Sequence, residues 1–220
     1  MSFDPGVITA NLPAILQALL MTLWLWLTGL AASVALGLLI AIARRMGGPL
    51  LDVPLGLAVQ VVRGVPFLVQ VFLLYFGGPA IGLVLEQFTA GLLALSLFGG
   101  CYMSEVFRTG FRAVPRGHME AALCVGLSRW QTLVRIVVPE MLVLVLPAGT
   151  NIAIGLIKET AVLSVISVPE LTGVVSGIGS ETYAFVEALL TLSLLYWGLV
   201  EACSRLGRLL ERRLSQFRFA

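Results

Sequence analysis

Residues 117–139 read GHMEAALCVGLSRWQTLVRIVVP, the longest polar interruption in a strongly apolar chain. Glu120, Ala121 and Ala122 open it with good helix formers. Gly126 and Ser128 then interrupt, and a segment carrying Arg129, Trp130 and Arg135 leads into Val137, Val138 and Pro139. Set between two membrane spans, this pattern predicts a short helix, a bend that glycine permits, and a second helix rising into lipid. Such a loop suits docking onto a water-soluble partner. An ordinary solvated loop is the plainer reading of the same residues.

The rest of the chain supports the membrane setting. Of its 220 residues 59% are hydrophobic and 12% charged, and the mean hydropathy is +1.00. That balance excludes a soluble domain. Windows 5–43, 87–104 and 141–157 hold no charge at all, and about 20 apolar residues suffice to cross a bilayer. The first window is too long for one crossing, so it divides into an interfacial piece over 5–16 and a spanning helix that runs on to 43. No positive region precedes it, as a cleavable signal peptide requires. Gly29, Ser33, Gly37 and Ala41 recur at four-residue spacing and predict a seam where another helix approaches closely.

Fourteen residues are Lys or Arg. All but Arg63 and Lys158 fall at 44–45, 108–135 and 205–218. The positive-inside rule places these clusters in the cytoplasm, which gives five spans with the N-terminus outside and the C-terminus inside. The second span, over 52–76, carries Arg63-Gly64-Val65-Pro66, where proline predicts a kink. Arg63 there must face protein, water or a headgroup, and a snorkelling or structural role is the simpler one. The third span covers 88–108 and the fourth 137–158, with the loop 111–137 between them. Residues 162–180, rich in glycine and serine, predict short pieces on the outer side covered by protein. A last span over 183–204 leads into an amphipathic tail over 205–218 along the cytoplasmic surface. The whole chain, 1–220, is one transmembrane domain.

Three motifs carry a resemblance. Glu120-Ala121-Ala122 with Gly126 and the Val138-Pro139 ending is similar to the EAA loop of bacterial ABC-importer permeases. Arg63-Gly64-Val65-Pro66-Phe67-Leu68-Val69-Gln70 and Leu156-Ile157-Lys158-Glu159-Thr160 resemble the polar amino acid uptake permeases of the histidine, glutamine and arginine group. The chain departs from the family at Val65, where threonine is usual, at His118, where glutamine is, and at Glu159-Thr160-Ala161, where Asp-Thr-Ser is. The resemblance implies an all-α permease of the type I importer fold in the bacterial inner membrane. Its implied partners are two cytoplasmic ABC ATPase subunits, a second permease copy or a homologous permease, and an extracytoplasmic solute-binding protein. The implied cargo is a polar amino acid, or another small polar solute such as an opine. ATP would be bound by the ATPase, so this chain needs no cofactor of its own.

Within that frame, Glu120, Ala121, Ala122, Gly126 and Arg129 are the expected ATPase-coupling residues. Glu105 and Glu159, with Thr160 and Ser164, are the expected substrate contacts. A ligand ammonium needs an acceptor of opposite charge where water is scarce, and related permeases that bind substrate carry acids at both positions. Structural pairing of Glu105 with Arg108, and of Glu159 with Lys158 or another helix, accounts for the same residues. Counting up the fourth span also puts Glu159 about 33 Å from Val137, so a shared site needs that span to start deep in the cytoplasm or to bend.

The chain holds no phosphate-cradling Gly-x-x-x-x-Gly-Lys and no Gly-x-Ser-x-Gly elbow. Three cysteines without ligand spacing and a single histidine leave no metal or haem set. An intramembrane enzyme using Glu105, Lys158 and Glu159 for proton chemistry is the competing class. The scattered bases do not form a nucleic-acid face.

Overall fold

α2 (Leu12–Met46) and α5 (Gln87–Ala113) lie against each other along the seam expected from the sequence. Gly29, Ser33, Gly37 and Ala41 are all buried on α2. A Cβ placed on Gly29 would meet Leu95 at 3.2 Å, and one on Gly37 would stand 2.9 Å from the Gly100 carbonyl oxygen. Ser33 Oγ donates within its own helix to the Gly29 carbonyl at 2.7 Å and lies 3.2 Å from the Leu95 carbonyl across the seam. Residues 29 and 37 thus meet residues 95 and 100–104 in the same order, so the two helices run parallel.

The computed structural model describes residues 4–215, and every element among them is helical. A short α1 (Gly6–Ala10) precedes α2, with Asn11 between them. The interfacial piece therefore ends at Asn11 rather than residue 16, because Pro13 sits in the first turn of α2, where a missing N–H costs nothing. The Asp4 amide donates to Glu187 Oε1 at 2.8 Å and fastens this end of the chain to the last helix.

Parallel neighbours need a return segment, and residues 48–81 supply it. α3 (Gly48–Gly64) and the stretch Phe67–Ile81, which begins with α4 (Phe67–Phe72), meet at 106°. The kink read from Arg63, Gly64 and Pro66 is thus a full break, and the second span is not one straight crossing. The reason is local. Val65 is extended at ψ 132° and Pro66 has no N–H to carry the helix on. Gln70 Nε2 donates to the carbonyls of Val62 (2.7 Å) and Val65 (2.9 Å), groups the break would otherwise strand. A π turn (Leu73–Gly77) and a 3-10 turn (Gly78–Ile81) close the segment before α5.

The loop after α5 folds as its residues predict. α6 (Arg116–Cys124) ends before Gly126, whose φ of +84° favours glycine. Ser128 then starts α7 (Arg129–Thr132) with a capping box: its Oγ accepts from the Gln131 amide, and its own amide donates to Gln131 Oε1. A π turn (Leu133–Val137) carries the helix into α8 (Val138–Glu159). The fourth span thus begins at Arg129, eight residues before the expected start, and extends to Ile166. The capping box nucleates it early, and the π turn accommodates Pro139, which has no N–H to donate.

α8 runs antiparallel to α5, with Gly110 facing Met141 and Val145, Gly99 facing Leu156 and Gly91 facing Leu163. Beyond it, a 3-10 turn (Thr160–Ile166) and α9 (Leu171–Thr182) form the expected short pieces. Leu163, Ile166, Val168, Leu171 and Val175 are at most 1% exposed, so this segment is covered by protein. Tyr183, at φ +58°, turns the chain into α10 (Phe185–Ser215). α10 returns beside α8, with Gly207 against Thr150, and continues unbroken through the start of the basic tail. Arg218, and the side chain of Leu214, lie outside the described residues.

Among the described residues four helices are long and apolar enough to span a membrane, and the bent pair, counted as one span, brings the number to five. The α2–α5 seam sets their spacing. Gly37→Ala should therefore destabilise the fold by about 1–3 kcal/mol through overpacking, whereas Gly155→Ala, where a Cβ meets open space, should not. Thermal unfolding of the two purified variants in detergent checks this.

Candidate functional site

The helix directions gather Arg44 and Arg45, Arg108 and Arg112, Arg129 and Arg135, and Arg205 and Arg208 at one end of the bundle. There Glu105 is clasped from two sides. Its Oε1 accepts from Arg44 Nη1 at 2.5 Å, and its Oε2 accepts from Arg108 Nε at 2.9 Å. Arg44 also donates to Asp52 at 2.7 Å, so one network ties α2, α3 and α5 together. Glu105 keeps 20% of its side chain exposed.

That exposed part lines a groove of about 550 Å³ between α5 and α8, with Arg63 and Tyr102 at its edge and Asn151 on the opposite wall. A second groove of about 520 Å³ between α3 and α5 shares Arg63 and Glu105 with the first. The guanidinium of Arg63 stacks on the Tyr102 ring, 4.8 Å from its centroid. Tyr102 packs on Phe98, and Phe98 on Phe67 just beyond the α3–α4 break.

Glu159, Thr160 and Ser164 lie elsewhere. On the α5–α8 register Glu159 is level with residue 95, ten residues before Glu105, which is about 15 Å along the axis. The structure therefore does not bring the two carboxylates together. Glu159 is half-buried and makes no ion pair with Lys158 among the described residues. The hydroxyl of Thr160 donates to the Ile157 carbonyl at 2.6 Å and that of Ser164 to the Ala161 carbonyl at 2.8 Å.

Next to them sits Glu170, which the sequence reading passed over. It is fully buried and caps α9: its oxygens accept from the amides of Thr172 (2.9 Å) and Gly173 (2.7 Å) and from the hydroxyl of Tyr196 (3.0 Å). The Leu171 amide donates to Thr22 Oγ1 on α2. Burial pushes the Glu170 carboxyl up from its ordinary value, against the pull of these donors. Glutamate is an unusual cap; its place before Leu171, Thr172 and Gly173, just after Pro169, was the available signal.

At the loop, α6 presents Glu120 and Ala121 outward and buries Ala122. His118 Nδ1 pairs with Glu140 Oε1 at 2.9 Å and links α6 to the first turn of α8. A movement of α6 thereby reaches a spanning helix directly.

Comparison with known proteins agrees with this architecture. The family described as "binding-protein-dependent transport system inner membrane component" matches residues 33–216. The chain belongs to this family. As such an inner-membrane permease it is a multi-pass subunit that works with an ATPase and a substrate-binding protein. It is 31% identical to the probable amino-acid ABC transporter permease YckA of Bacillus subtilis, over 98% of this chain and 95% of that one. It is 33% identical to the glutamine transport system permease GlnP of Escherichia coli K12, over 97% and 99%. Its fold matches a chain of the crystal structure of an amino acid ABC transporter with histidines at a TM-score of 0.88, with 31% identity, over 97% of this chain and 100% of that one.

The Glu170 cap holds the segment that carries Thr160 and Ser164. Glu170→Leu strands the amides of Thr172 and Gly173 and leaves the Tyr196 hydroxyl only Thr172 Oγ1 as a partner, and it should cost about 1–3 kcal/mol for each donor left unpaired. Glu170→Gln, which keeps acceptor oxygen and shape, should cost less. Melting temperatures of the two variants give the order.

Proposed function

We propose that this permease carries a polar amino acid inward across the cytoplasmic membrane, driven by ATP hydrolysis on two copies of its partner ATPase. The observation that carries the reading is similarity over nearly the whole length to amino-acid permeases, at about one-third identity. The N-terminus lies outside and the C-terminus in the cytoplasm, as the collection of basic residues at one end of the bundle favours. A second permease, identical or homologous, completes the pathway.

Substrate passes two stations. At the outer one Glu159, in the segment that also carries the fully buried Thr160 and the half-buried Ser164, offers a ligand ammonium a half-buried carboxylate that forms no ion pair among the described residues. At the inner one Glu105 lines the groove between α5 and α8. The loop residues Glu120, Ala121, Ala122, Gly126 and Arg129 engage the ATPase. Small side chains on α6 allow a close fit, and Gly126 sets its direction against α7.

Uptake of labelled amino acids into proteoliposomes holding the permease, its ATPase and its binding protein tests the reading; no uptake of any polar amino acid would refute it. In the same vesicles Glu159→Gln should weaken uptake of cationic amino acids most, and wild-type rate and affinity would make the carboxylate a scaffold only. Gly126→Trp, strained at a positive φ, should reach the membrane in normal amount yet fail to couple ATP hydrolysis to uptake. For orientation, Ser128→Cys in a background lacking Cys101, Cys124 and Cys203 should resist an impermeant thiol reagent added to intact cells. Labelling from outside would invert the topology.

A further inference from the structure

Resting on that reading, we infer that Arg63 is a carboxylate-binding residue of the inner station and receives the α-carboxylate of the transported amino acid. Arg63 lies next to the α3–α4 break on an otherwise apolar stretch, and among the described residues it forms no ion pair. Arg63 is exposed, and an unpaired cation inside an otherwise apolar segment is a candidate functional position. The guanidinium lies over the Tyr102 ring and borders both grooves.

Among the described residues the guanidinium N–H groups of Arg63 donate to no acceptor, and a guanidinium can bind a carboxylate through two parallel hydrogen bonds. The side chain is also held in advance. Phe67, Phe98 and Tyr102 form an aromatic ladder beneath it. Gln70 satisfies the carbonyls on either side of it in the chain, and the Tyr102 hydroxyl lies 3.5 Å from the Arg63 carbonyl. A ligand meeting this residue has little ordering left to provide.

Charge balance around the grooves points the same way. Arg44 and Arg108 neutralise Glu105, and Asp52 answers Arg44. These four groups sum to zero, so Arg63 leaves the inner station one positive charge in excess. A carboxylate fits that excess, whereas a ligand presenting only a cation is opposed by it. Asn151, across the groove, supplies both a donor and an acceptor for the rest of the ligand.

The test uses the purified permease–ATPase complex without its binding protein. Equilibrium dialysis compares L-glutamine, L-arginine, L-histidine and L-glutamate, each against its own α-carboxamide. Wild type should bind at least one free amino acid about tenfold or more tighter than its amide, the scale of one lost charged hydrogen-bond pair. Arg63→Gln should abolish that discrimination, and Arg63→Lys should restore part of it. Equal binding of acid and amide by wild type would overturn the inference and leave the partner carboxylate to a second permease copy. So would the absence of any binding, or unchanged discrimination in Arg63→Gln. Should Arg63→Gln not assemble, Arg63→Met takes its place, and unchanged discrimination there would overturn the inference. Uptake with the binding protein present separates this from the broader reading. If wild type and Arg63→Gln transport an amino acid with the same KM, only the role of Arg63 falls.

Discussion

Gly37 and Gly100 bring the backbones of α2 and α5 so close that a Cβ on Gly37 would stand 2.9 Å from the Gly100 carbonyl oxygen, and one on Gly100 would press on the Leu36 side chain. Lipid tails are as apolar as leucine, so helices in a membrane gain little from hiding leucines from them. What holds them is the density of contact that small residues permit, and here Ser33 adds a hydroxyl at the seam. Because the two helices run parallel, the chain between them has to come back across the bundle. The crossover at residues 48–81 follows from the seam.

That return is where the membrane imposes its second demand. A helix bent by 106° loses backbone hydrogen bonds, and no water stands ready in a bilayer to replace them. Gln70 replaces them from within, and the aromatic ladder from Phe67 to Tyr102 fixes the corner it creates. The far end of the bundle shows the same solution. The 3-10 turn 160–166 and the start of α9 leave backbone groups that need extra partners, and Glu170 and Thr22 supply them among buried side chains. The break at Val65–Pro66 and the turn before α9 border the proposed stations. A channel-like path needs polar groups at depth, and broken helices are how the fold delivers them.

The third demand is mechanical. The His118–Glu140 pair and the short chain from Gly126 to Ser128 connect α6 to α8 with little slack, and α8 continues into the turn that carries Thr160 and Ser164. One continuous helical element therefore runs from the loop to the turn that carries Thr160 and Ser164. Push on α6, and both ends of α8 can respond.

Much of this was legible in the chain itself. The seam at Gly29, Ser33, Gly37 and Ala41 shows in the spacing, because helix period is a local property. Gly126 and Ser128 announce the bend and the cap, since turn chemistry acts within a few residues, and long apolar runs declare the membrane. Arg63-Gly64-Val65-Pro66 announces an interruption, but its size depends on what fills the corner, and Gln70 and Phe98 are chosen by the fold. Tertiary structure alone decided that Arg44 reaches Glu105 across 61 positions. It alone decided that Glu105 and Glu159 stand at different levels, and that a buried glutamate caps α9. Ion pairs and depth along a bundle depend on which helices are neighbours and in which direction they run. No stretch of sequence contains both partners of such a contact.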